Sequence, residues 1–272
     1  MAVNPVPAIA RVPSGGETAC EPPWYDSEWL RQYLGSKRTI QRVCPERLTD
    51  FIRTFDVLRT SPVFSTRRVS DVFDEATMAR LRQTVRTLPA HTLELHEAKV
   101  FGRFVVHDNP IVAELHSSLV ELMSSLVGED VEPSYSFISL YSRCGRCPIH
   151  LDSPEAKWTL DLCLDQSALW PIHLSKVVPW PEDLLECDEK GEARLKHRPN
   201  VTFESVTLNP GEAAVFSGSS QWHYRNDIRT IGDNKFCNLV FFHFVPRGMK
   251  AKVKPRNWAE MFGIPQLAET VV

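Results

Sequence analysis

Tyr135-Ser136-Phe137-Ile138-Ser139-Leu140-Tyr141 and Trp158-Thr159-Leu160-Asp161-Leu162-Cys163-Leu164 decide the fold class. Their apolar groups recur with a period near two, the repeat of a strand whose two faces meet different surroundings. Further strands are expected at residues 170–174, 201–208, 213–216 and 236–244, with turn signals at Asn209-Pro210-Gly211 and Gly232-Asp233-Asn234. Upstream, from residue 24 to about 128, the period is helical. Trp29, Leu30, Tyr33 and Leu34 make one apolar face, and Pro45 opens a second helix that turns Leu48, Phe51, Ile52 and Phe55 inward. Met78, Leu81, Val85 and Leu88 repeat behind the cap residue Asp74, and Asn109-Pro110 starts a further helix that runs to Gly128. Helices followed by six to eight strands indicate an α+β, mainly β chain: an antiparallel barrel or jelly roll with helices on one outer face.

The 272 residues suffice for a full core, and one structural domain is expected. Its parts are a disordered leader (1–23, with five prolines), a helical part (24–130), a β core (131–250) and a C-terminal tail (251–272). Residues 183–200 are charged and aperiodic, and read as a surface insertion or lid. A net charge of −3 offers no basic excess to a nucleic-acid backbone or an anionic membrane. No stretch approaches the ~20 apolar residues of a membrane helix. The leader lacks the basic-then-apolar run of a secretory signal, and seven scattered cysteines suit reduced thiols, so a cytoplasmic location is expected.

Chemistry points to His150-Leu151-Asp152, with His223 downstream. On a strand, residues i and i+2 share a face, and a later strand can bring His223 across from them. Two imidazoles and one carboxylate form the facial triad that binds iron(II) and leaves three positions open. The bare His-x-Asp pair arises by chance roughly 0.5 times in a chain of this composition, and its bland reading is a strand-end histidine bonded to an aspartate.

The order of motifs is more specific. Leu140-Tyr141-Ser142 precedes Pro148-Ile149-His150-Leu151-Asp152; Leu164-Asp165-Gln166 follows with Trp170 beyond. Then come Pro210-Gly211-Glu212-Ala213-Ala214-Val215-Phe216, Gln221-Trp222-His223-Tyr224 and Lys235-Phe236-Cys237-Asn238-Leu239-Val240-Phe241-Phe242. Over about 110 residues this resembles the double-stranded β-helix of the 2-oxoglutarate- and iron(II)-dependent oxygenases, especially the prolyl-4-hydroxylase-like branch. The resemblance implies that His150, Asp152 and His223 hold iron(II), and that a basic residue past the distal histidine grips the 2-oxoglutarate carboxylate. It also implies that a C–H bond is hydroxylated with O2, giving succinate and CO2; a single domain without a docking module suggests a small-molecule substrate, with a protein prolyl or aspartyl side chain as the alternative. Relatives that halogenate lack the carboxylate, so Asp152 favours hydroxylation.

Strand parity places Phe236, Val240, Phe242 and Phe244 outward, and Lys235, Cys237, Leu239 and Phe241 inward. In the earlier strand Trp158, Leu160, Leu162 and Leu164 face out, and Thr159, Asp161 and Cys163 face in. Lys235 is therefore the first choice as co-substrate clamp, with Arg225, two past His223, as rival. Tyr141 is either a co-substrate contact or a core tyrosine. Arg143, Arg146 and Trp222 are substrate contacts in this reading, and the arginines suggest a carboxylate-bearing substrate such as an amino acid. Cys144-Gly145-Arg146-Cys147 reads as a turn at the site's mouth, since no second cysteine pair accompanies it. His173 and His243 read as structural. Two other classes remain: a cupin-like iron oxygenase that does not use 2-oxoglutarate, and a non-catalytic jelly-roll binding protein in which the histidines and Asp152 bond one another.

Overall fold

The longest strand, β3 (Val131–Tyr141), lies beside β10 (Cys237–Pro246), and β10 lies in turn beside β5 (Trp158–Gln166). In this computed structural model, which describes residues 26–180 and 201–270, these three strands are the middle of a six-stranded antiparallel sheet. β8 (Ala213–Phe216) and β1 (Arg67–Val69) extend it past β5, and β2 (Arg103–His107) extends it past β3. A second antiparallel sheet has the order β4 (Cys147–His150), β9 (Gln221–Arg225), β6 (Ile172–Val177) and β7 (Phe203–Val206).

The outward parity expected for the two central strands holds. Trp158, Leu160, Leu162, Leu164, Val240, Phe242 and Phe244 all enter one core with the helices. Those helices are α3 (Glu75–Arg86), α4 (Pro110–Ser118) and α5 (Val120–Val127). Cys163, Cys237 and Leu239 instead join Ile172, Leu174 and Phe216 in a core between the two sheets. Phe236 departs from the expectation: it precedes the strand, is exposed, and its N–H donates to Ser167 Oγ.

The helix starts follow their caps. Asp74 accepts from the Thr77 N–H, and Asn109 accepts from the N–H groups of Ile111 and Val112. The helix expected from Pro110 to Gly128 is two helices. Ser117 and Ser118 turn their hydroxyls onto the Ala113 and Leu115 carbonyls, and the chain breaks at Leu119 before Gly128 closes α5 at φ 74°.

Two further differences concern the ends of the expected parts. The 24–130 stretch also contains β1 and β2, of three and five residues, too short to show a period of their own. Residues after 251 are not a loose tail. Trp258, Phe262, Ile264 and Leu267 are buried with Trp29, Tyr33 and Phe51 of α1 (Asp26–Val43) and α2 (Leu48–Asp56) in a third core. The leader (1–23) and the 183–200 insertion lie outside the described residues. Among the described residues no helix is long and apolar enough to cross a membrane.

Candidate metal centre and its cavity

β4 and β9 are antiparallel neighbours, and their register sets His150 directly opposite His223, with ring centroids 4.2 Å apart. Just past β4 the Asp152 N–H donates to the Gly218 carbonyl at 2.8 Å, pinning the chain before a 3-10 turn capped by Ser153. The carboxylate is thereby brought beside both rings: Asp152 Oδ1 lies 3.4 Å from His150 Nε2 and 3.7 Å from His223 Nε2.

The Nδ1 atoms decide what the Nε2 atoms do. His150 Nδ1 lies 2.8 Å from the Pro148 carbonyl, and His223 Nδ1 lies 2.9 Å from the Gln221 carbonyl. A carbonyl only accepts, so each Nδ1 carries its proton and each Nε2 turns its exchangeable position toward Asp152. Backbone bonds of this kind are what orient imidazoles as metal ligands. Burial, and next the charge of His150, lower His223 to about 4. Burial alone would raise the Asp152 carboxyl, but His223 and His150 hold it well below the usual carboxylate range. Three ligand atoms lie within 4.8 Å of one another, and ligands of one ion at ~2.1 Å stand ~3 Å apart when adjacent. The donor set fits an iron(II)-type ion.

The triad lines a cavity of about 280 Å³ that reaches the inner face of the six-stranded sheet. One part of that face is aromatic. Phe137 stacks on Phe241 at 5.0 Å, and Tyr135 stacks on His243 at 4.2 Å. The other part is cationic. Arg225 is buried, bonded through Nη2 to Asp161 Oδ2 at 2.6 Å and through Nη1 to the Trp170 carbonyl. Arg103, opposite Tyr141 in the β2–β3 register, donates through Nε to Glu97 and through Nη1 to the Tyr141 hydroxyl at 2.8 Å. Its Nη2 has no hydrogen-bond partner among the described residues. Burial pushes the Tyr141 phenol up, so it keeps its proton, and that proton is not used by the bond it accepts from Arg103.

Of the residues singled out in the sequence, His150, Asp152 and His223 come together, and Tyr141 and Arg225 reach the same cavity. Lys235 does not. Its stem lies against Gly232 in the turn before β10, which begins only at Cys237, so Cys237 takes the first inward position. Arg143 and Arg146 are also outside the lining; Arg146 Nε donates to the Val100 carbonyl and ties the turn after β3 to the segment before β2. Trp222 neighbours His223 on β9, and the two-residue period sends it to the other face, away from the cavity. Of the 144–147 stretch, Cys144 lies in a turn closed by a Gly145 N–H to Ser142 carbonyl bond, whereas Cys147 opens β4 and lines the cavity. His173 is outside the lining, stacked on Tyr224. His243 lines the cavity, as do Glu97 and Arg103, which sequence reasoning missed. The one available signal for Arg103 was a basic residue opening the apolar run Phe104-Val105-Val106.

No protein-family model matches the sequence, and no curated protein matches it. Solved structures do match. The non-heme alpha ketoglutarate dependent epimerase SnoN from nogalamycin biosynthesis is 16% identical, with 70% of this chain and 84% of that one covered at a TM-score of 0.50. HygX from Streptomyces hygroscopicus, solved with nickel, 2-oxoglutarate and hygromycin B bound, is 10% identical, covering 72% and 86% at a TM-score of 0.50. A Pseudomonas putida prolyl-4-hydroxylase is 12% identical, covering 68% and 94% at a TM-score of 0.45. This chain therefore has the fold of a non-heme alpha ketoglutarate dependent epimerase and of a protein solved with nickel and 2-oxoglutarate bound.

Proposed function

We propose that the protein is an iron(II)- and 2-oxoglutarate-dependent oxygenase that hydroxylates an unactivated C–H bond of a small molecule. The two packed sheets are read as a double-stranded β-helix. The reaction balances as substrate C–H, O2 and 2-oxoglutarate going to substrate C–OH, succinate and CO2. The observation that carries the reading is the convergence of two Nε2 atoms and one carboxylate oxygen on a cavity that also holds two buried arginines. SnoN and HygX, by their descriptions, use or bind 2-oxoglutarate, which supports the same co-substrate here.

His150, Asp152 and His223 would hold the metal, and the bound iron supplies open positions for O2 and for the co-substrate. Arg225 and Arg103, paired with Asp161 and Glu97, line the same cavity and would offer guanidinium donors to a dicarboxylate. The Tyr141 proton is available to donate to the same anion. The aromatic surface of Phe137, Tyr135 and Phe241 keeps water from part of the cavity and suits an apolar portion of the substrate. The carboxylate-bearing substrate suggested by the sequence loses Arg143 and Arg146, so the reading keeps a small molecule and drops its carboxylate. Free thiols at Cys44, Cys144, Cys147, Cys163 and Cys237 support a cytoplasmic enzyme.

The test is anaerobic addition of iron(II) and then 2-oxoglutarate, read by the weak visible charge-transfer band of the chelated co-substrate. Wild type should show the band and His150→Ala should not. Iron bound without a band would favour a cupin-like oxygenase; no iron bound would remove the enzyme reading.

A further inference from the structure

The two oxygens of Asp152 have different surroundings. Oδ1 faces both histidines, whereas Oδ2 accepts from the Thr159 hydroxyl at 3.3 Å. Thr159 Oγ1 also lies 3.0 Å from His243 Nδ1. Thr159 and His243 are cross-strand partners in the β5–β10 register, and both are buried.

The direction of this chain follows from counting protons. A hydroxyl has one proton and a carboxylate only accepts, so Thr159 donates to Asp152 and takes its second bond from His243 Nδ1–H. His243 Nε2 is then left as a bare acceptor, and it is indeed buried without a partner. A buried lone pair without a donor is better tolerated than a buried N–H without an acceptor, which favours the same tautomer. The ring is held in place by its stack on Tyr135, and its strand by His116 Nε2, which donates to the His243 carbonyl at 2.9 Å.

Gly218 provides the space. Its φ is outside the left-handed region, so the requirement is steric. A Cβ there would lie 2.3 Å from Asp152 Oδ2, 2.7 Å from Thr159 Oγ1 and 2.6 Å from the Ala156 carbonyl. The gap left by the missing side chain is the place where carboxylate and hydroxyl meet.

We propose that Thr159 and His243 are positioning residues that reserve Oδ2 of Asp152 for the protein and present Oδ1 alone to the metal. Asp152 is thereby a one-oxygen ligand, and the second oxygen does not compete for a position that the co-substrate or O2 needs. The inference rests on the metal-site reading above, and it concerns how the ligand is aimed rather than which reaction follows.

The test uses cobalt(II) as the probe, added to the metal-free full chain without substrate and followed by its visible absorption. Thr159→Val keeps the shape and removes the hydroxyl; Thr159→Ser restores the hydroxyl. Losing such an outer partner typically costs 10–100-fold in metal affinity. Thr159→Val should therefore bind cobalt at least about tenfold more weakly and with an altered spectrum. Thr159→Ser should recover both, while the metal-free melting temperatures of the two variants agree within a few degrees. If valine prevents folding, His243→Phe, which keeps a ring against Tyr135, carries the same comparison and should also weaken binding. Wild-type affinity and spectrum in a folded Thr159→Val or His243→Phe protein would overturn the proposal. A wild type that binds no cobalt would instead remove the metal-site reading. A wild type that binds cobalt but shows no iron–2-oxoglutarate band would remove only the oxygenase.

Discussion

His150 and His223 face one another across two antiparallel strands, and each gives its Nδ1 proton to the carbonyl two residues before it. The same local bond made twice turns two Nε2 atoms toward one carboxylate oxygen. A strand pair thus builds two thirds of a metal site from its backbone, and Asp152 completes it.

Removing either imidazole should therefore remove the site rather than weaken it slightly. For His223→Ala, cobalt(II) or nickel(II) affinity is expected to fall by two orders of magnitude or more, since two ligands hold far less well than three. His173→Ala, which changes a histidine outside the cavity, should bind as wild type does. Calorimetric titration of both variants checks this.

The co-substrate clamp can be tested by comparing two basic residues. Arg103→Met is expected to raise the 2-oxoglutarate concentration needed for the iron charge-transfer band by tenfold or more, and Lys235→Met to leave it unchanged. The charge-assisted bond at stake is worth about 1.5–3 kcal/mol. A shift seen only with Lys235→Met would return the clamp to the turn before β10.

Like Arg103, which pairs with the buried Glu97, Arg225 is half of a buried ion pair, and the cost of breaking it can be measured by removing both partners. Arg225→Met leaves the fully buried Asp161 without its cation, a loss of about 3–5 kcal/mol. Burial already pushes the Asp161 carboxyl up, and Arg225 is the main opposing charge. Arg225→Met combined with Asp161→Leu should regain most of the stability lost in the single variant. Denaturant melts of the wild type, the single and the double variant measure this.

Gly218→Ala is expected to be folded poorly or, if folded, to hold metal weakly. The added methyl displaces Asp152 Oδ2 or the Ala156 carbonyl, both closer than 3 Å to its position. Gly128→Ala, where nothing crowds a Cβ, separates crowding from backbone effects, since only the left-handed φ of 74° opposes it there. Melting temperature and cobalt affinity of the two variants should therefore diverge: Gly128→Ala loses stability alone.

His116 sets a pH dependence away from the metal ligands. Burial lowers it to about 4, while its bond to the His243 carbonyl opposes the shift. The unfolded chain binds this proton near 6.5, so between pH 4 and 6.5 the unfolded state holds more protons and stability rises with pH. The contribution is present above about 6.5 and is lost as pH falls, on the order of 2 kcal/mol between pH 7.5 and 5. His116→Gln retains a donor for the carbonyl and does not titrate, so its denaturation midpoint should vary less over that range. An unchanged slope would place the acid sensitivity elsewhere.

The amino-acid sequence by itself determined whatever depends on near neighbours in the chain. The period of two from Tyr135 onward, the in-and-out parity of β5 and β10, and the caps Asp74 and Asn109 are local, because side-chain direction and first-turn bonding are set within a few residues. His150 and Asp152 were legible for the same reason, and His223 through the order of motifs. Only the tertiary structure decided which cations reach the cavity. Arg103 arrives on a five-residue strand by pairing with Tyr141, 38 residues away, and Lys235 is left outside because the turn at Gly232 delays β10 to Cys237. The packing of Trp258 and Phe262 on α1 and α2, and the gap at Gly218 beneath Asp152, are likewise long-range. Register and reach between distant segments follow from how whole sheets and helices close on one another, and no window of sequence contains them.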